Sequence, residues 1–74
     1  MPYARMTRTV EIRGDTIRLG QALKLSGVAG SGGDARALVE AGAVRVNGAV
    51  ELRRGRQLHP GDVVAVEGEK LRIV

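Results

Sequence analysis

The sequence predicts an α+β fold, a short helical pair packed on a small, mainly antiparallel sheet. Three observations predict it. Apolar residues recur at helical spacing in two consecutive stretches, around residues 18–26 and 34–41. Short β-branched runs follow, Val44–Val46, Val63–Val66 and Leu71–Val74. Between the helical and strand-rich halves stands Asn47-Gly48, the dipeptide most diagnostic of a two-residue hairpin turn, because both of its positions need positive φ.

Taken in order, Thr9-Val10-Glu11-Ile12-Arg13 alternates apolar and polar side chains and reads as a half-buried strand, with Gly14-Asp15 as a turn. Leu19, Ala22, Leu23 and Ser26 then share one helical face, and Gly27 stops that helix. Residues 27–33 form a glycine-rich loop. Ser31 or Asp34 can accept orphan amides at the start of a second helix, whose buried face is Ala35, Leu38, Val39 and Gly42, with Gly42 just past its end. Val44 and Val46 face inward and Arg45 outward. After the hairpin turn, Val50 and Leu52 are expected to return to the core, Arg53-Arg54-Gly55-Arg56 to form a basic turn or bulge, and Leu58 to re-enter the core. Pro60-Gly61 is a turn, Val63–Val66 a buried strand, and Glu67-Gly68-Glu69-Lys70 a tight turn into a last strand that offers an unpaired edge.

At 74 residues the chain is one domain, residues 1–74, with a core over about 9–74 and a mobile segment at 1–8 that holds the one aromatic residue, Tyr3. The apolar fraction of 43% suits a packed core and not a disordered tail. With no cysteine there is no disulfide and no thiolate metal site. No apolar run approaches the roughly 18 residues of a membrane span, and Met1–Arg8 lacks the apolar stretch of a signal peptide. A cytoplasmic monomer with no membrane association is expected.

The charge balance points to the partner. Twelve Lys and Arg against eight Asp and Glu give +4, and all the cations but Lys24 and Lys70 are arginine; the pI is near 10.7. The guanidinium fork suits phosphate better than an ammonium does. Arg18, Lys24, Arg36, Arg45, Arg53, Arg54 and Arg56 are expected to converge where the second helix feeds into the hairpin, and so to neutralise several phosphates of a polyanion. The plainer alternative is a solvated charged surface, but three arginines within residues 53–56 repel one another unless an anion is bound. The near absence of aromatics disfavours base stacking on single strands and leaves recognition of folded RNA by backbone and shape.

Other chemistry finds little support. Gly30-Ser31-Gly32-Gly33-Asp34-Ala35 fits G-x-G-x-x-A formally, but it follows a helix and not the strand of a βαβ unit, so no dinucleotide cofactor is expected. Its amides can still face a phosphate. His59 is a lone histidine in a turn, Ser31 is a cap with no neighbouring base, and Asp62 is a turn residue. No catalytic residue, metal ligand or cofactor is assigned, and no enzymatic activity is expected.

The order helix, glycine-rich loop, helix, Val-x-Val-Asn-Gly hairpin, basic segment and Pro-Gly-Asp strand resembles the RNA-binding domain of the small-subunit ribosomal protein four type, the alpha-L motif. Arg18-Leu19 matches its Arg-Leu-Asp opening, with Gly20 in place of the aspartate. Ser31, Ala35, Leu38, Val39, Gly42, Val44, Val46, Asn47 and Gly48 match in register, while Gly32 and Gly33 replace an arginine and a serine, and with that arginine one expected phosphate contact. Gly48-Ala49-Val50-Glu51-Leu52-Arg53-Arg54 has the form found in the stand-alone, YbcJ-like bacterial subgroup. The resemblance covers about residues 10–66. It implies a free-standing module for structured RNA, of the ribosomal or transfer RNA class, with ribosome association among the settings it allows, and with Ser31, Asn47 and Gly48 joining the cations at the RNA surface. A protein-interaction adaptor whose basic face docks on an acidic partner is the alternative.

Overall fold

The computed structural model describes residues 7–74. Its elements are β1 (Thr7–Val10), β2 (Ile17–Arg18), α1 (Leu19–Leu25), α2 (Gly32–Glu40), β3 (Val44–Val46), β4 (Ala49–Val50), β5 (Gln57–Leu58), β6 (Val63–Val66) and β7 (Glu69–Ile73). Five strands form one sheet in the order β1-β7-β6-β3-β4, and β2 pairs with β5 in a second. Every pairing is antiparallel except β1 with β7. Two helices on a mixed, mostly antiparallel sheet is the α+β class that the sequence predicts.

The core is wholly aliphatic. Leu19, Ala22 and Leu23 of α1 and Ala35 and Val39 of α2 pack on Val44, Val46, Val64, Val66, Leu71 and Ile73 from the inner face of the sheet, with Leu58 closing one end. α2 starts on Ser31, whose hydroxyl accepts the Asp34 amide at 3.1 Å, and the side-chain cap replaces one bond that the first turn cannot make for itself. It ends in a Schellman motif: Gly42 N–H donates to Val39 and Ala43 N–H to Leu38, with Gly42 at φ 75°.

Helix α1 has no side-chain cap. Its first two amides are instead satisfied across the fold, Leu19 N–H by the Arg56 carbonyl at 2.8 Å and Gly20 N–H by the Arg54 carbonyl at 3.0 Å. The basic turn therefore sits on the start of α1, and this contact positions the site described below.

Four expectations need correction. The first strand ends at Val10 and does not run to Arg13, and it begins at Thr7, so Thr7 and Arg8 belong to the folded domain and not to a mobile segment. Arg8 donates to the Ser26 carbonyl at 2.6 Å and ion-pairs with Glu69 at 2.8 Å, tying β1 to the end of α1. The rest of that segment, with Tyr3, lies outside the described residues. The last strand offers no edge: β7 lies between β1 and β6, because β1 joins it in parallel.

The fourth concerns the strand after the hairpin. Val50 and Leu52 are exposed, at 46% and 62%, and Glu51 between them is buried at 6%. The turn dictates this. Asn47 and Gly48 have φ 51° and 89°, and a two-residue turn pairs Val46 with Ala49 and Arg45 with Val50. Val50 therefore shares the wet face of Arg45. The next residue, Glu51, donates its amide to the Val44 carbonyl and turns toward the core side.

Candidate nucleic-acid interface

The arginines of the basic turn do not stand in one environment. The Glu51 carboxylate organises two of them. Arg53 grips it with both Nε and Nη2, at 3.0 and 3.2 Å, and donates its backbone amide at 3.0 Å; Arg56 adds Nη1 at 2.9 Å. These donors hold the Glu51 carboxyl down at about 2, well below the usual carboxylate range, with the Arg53 side chain the largest cause and Arg56 next. The same contact raises the Arg53 pKa. The anion that the three-arginine turn needs is therefore supplied within the chain.

Arg54 faces elsewhere. With Arg18 and Lys24 it lines a cavity of about 310 Å³ between the start of α1, the basic turn and the start of α2. Gly20 and Gln21 contribute from α1 and Gly32 from α2, and no acidic residue lines it. Among the described residues, none of these three cations is ion-paired with a carboxylate. Three cations around one open, acid-free hollow make a field that concentrates an anion.

The predicted convergence is thus partial. Arg18, Lys24 and Arg54 come together. Arg36 lies on the exposed face of α2 in an i,i+4 pair with Glu40, Nε to Oε2 at 2.9 Å, which raises the Arg36 pKa. Arg45 lines a different hollow, beside Glu67, Glu69 and Lys70, and donates to the Gly48 carbonyl. Ser31 serves as the α2 cap.

Asn47 ties the hairpin to the Pro60-Gly61-Asp62 turn. Its Nδ2 donates to Asp62 Oδ1 at 3.0 Å, and its Oδ1 accepts the Val63 amide at 3.0 Å. Asp62 also accepts the His59 amide at 2.8 Å. That bond, then the one from Asn47, lowers the Asp62 pKa. Two segments read separately as turns are one hydrogen-bonded junction.

Sequence reading missed Glu51 as a determinant of this surface. Counting pairs outward from Asn47-Gly48 puts Glu51 opposite Val44 and could have found it. Among the described residues no group of histidine, cysteine or carboxylate side chains could hold a metal, and no helix is long and apolar enough to cross a membrane.

Comparison with known proteins supplies a family. The sequence profile described as the S4 domain matches residues 10–74. A protein of Bacillus subtilis (strain 168) named "Probable ribosome maturation protein RlbA" is 44% identical over 63 residues, which are 85% of this chain and 89% of that protein.

Proposed function

The chain belongs to the S4 domain family, and from that membership and the cleft geometry we propose that it is a non-enzymatic RNA-binding protein that holds structured, ribosome-associated RNA. The observation that carries this reading is the cavity lined by Arg18, Lys24 and Arg54 with no acidic side chain on its wall. A phosphate there meets two guanidinium forks and an ammonium, and each phosphate so neutralised releases counterions. The sugar–phosphate backbone is the main ligand in this reading, supported by the absence of Phe, Tyr and Trp among the described residues. The name of the Bacillus relative, which speaks of ribosome maturation, supports ribosomal RNA as the class.

The test is capture of the protein from cell lysate with and without ribonuclease, followed by sequencing of the associated RNA. Ribosomal RNA or a ribosomal particle, lost on ribonuclease treatment, is the expected result. An acidic protein retained after ribonuclease would contradict it and favour the adaptor reading.

A further inference from the structure

Gly20 is buried on α1, and its amide is bonded to the Arg54 carbonyl. The stem of the Arg54 side chain lies across it. A Cβ built at position 20 would come within 2.7 Å of Arg54 Cγ, 3.1 Å of Cδ and 3.6 Å of the Arg54 carbonyl oxygen. Real carbon atoms do not approach that closely, and Cγ, bonded directly to Cβ, can move away only by a change of χ1. Any other residue at position 20 therefore forces Arg54 into a different rotamer.

The geometry points to Gly20 as a positioning residue for RNA binding: its missing side chain is the groove that lays Arg54 over the cavity shared with Arg18 and Lys24. This rests on the proposed reading of that cavity as a phosphate site. The helix supplies the groove, and the turn supplies the arginine. Two backbone bonds, Leu19 to Arg56 and Gly20 to Arg54, fix one against the other. With its stem lying against Gly20, the guanidinium already stands beside the cavity when phosphate arrives.

The test is a double-mutant cycle on RNA affinity over a range of salt, using the structured RNA recovered from lysate, or a ribosomal RNA hairpin as the probe. Gly20→Ala is expected to weaken binding roughly three- to tenfold. It should lower the log–log salt slope by about 0.9, one duplex phosphate contact. In an Arg54→Ala background the same substitution should have no further effect, because both remove one contact. Leu25→Ala, at an exposed position of α1 that does not line the cavity, should bind like the parent. A Gly20→Ala protein with parental affinity and slope would overturn the inference, as would a Gly20→Ala loss that persists in full beside Arg54→Ala. Should Gly20→Ala fail to fold alone, Gly20→Ala with Arg54→Ala must fold, since the colliding stem is gone, and a double variant that stays unfolded overturns the inference. If Arg54→Ala alone binds like the parent, the phosphate-site reading itself is wrong.

Discussion

Arg56 and Glu51 meet at 2.9 Å at the base of the basic turn, where the Glu51 side chain is only 7% exposed and already gripped by Arg53. An arginine-dense turn would ordinarily splay by self-repulsion. Here one carboxylate offsets two guanidinium groups and leaves Arg54 to face outward. The expected consequence is that Glu51→Gln lowers the melting temperature without lowering the salt slope of RNA binding, because the cations of the cavity remain. Thermal melts and salt titrations of the same variant check both halves; an unchanged melting temperature would show that the cluster contributes nothing to stability.

The same carboxylate sets the response to acid. Its pKa falls from 4.5 in the free side chain to about 2 in the fold, and that of Asp62 is also lowered. A depressed carboxylate pKa contributes stability that is complete above the unfolded value and lost as pH falls through the folded one. Urea midpoints should therefore be level above about pH 5 and fall between about pH 4.5 and pH 2, and Glu51→Gln should reduce that fall. A parent midpoint that does not change between pH 5 and pH 3 would contradict this.

Asn47 is a joint of the fold. Asn47→Ala removes two side-chain hydrogen bonds and places a Cβ residue with no compensating local bond at φ 51°. A loss of about 2–3 kcal/mol is expected from denaturant curves. Asn47→Gly relieves the backbone and should lose less. The protein that remains folded should keep the parental salt slope.

Leu23 is fully buried on α1 against the sheet. Leu23→Ala should cost about 2–5 kcal/mol, a large share of the stability of so small a domain. Loss of the cooperative thermal transition near growth temperature is the expected readout.

Much of this was legible in the chain because local signals agreed. Gly27 and Gly42 end their helices, Ser31 caps α2, and Asn47-Gly48 makes a two-residue turn with both φ positive. What failed depended on parity or on distant partners. Hydrophobicity alone points Val50 and Leu52 inward, yet the turn fixes Arg45 opposite Val50 and so sends Glu51 inward. The pairing of β1 with β7 sets Thr7 beside Lys70, far apart in sequence, which no local period encodes. Convergence of Arg18, Lys24 and Arg54 depends on carbonyls of the basic turn satisfying the first amides of α1. Charge counting saw the arginines and could not say which of them are already paired.

The most direct test of the account compares Arg54→Ala with Arg53→Ala, neighbours in sequence with different surroundings, in salt titrations of RNA affinity. Arg54→Ala should lower the log–log slope by about 0.9 on duplex RNA, as should Arg18→Ala and Lys24→Ala, while Arg53→Ala should leave it within error of the parent. A slope that falls with Arg53→Ala and not with Arg54→Ala would place the phosphate contacts on the Glu51 cluster and contradict the cavity as the RNA site.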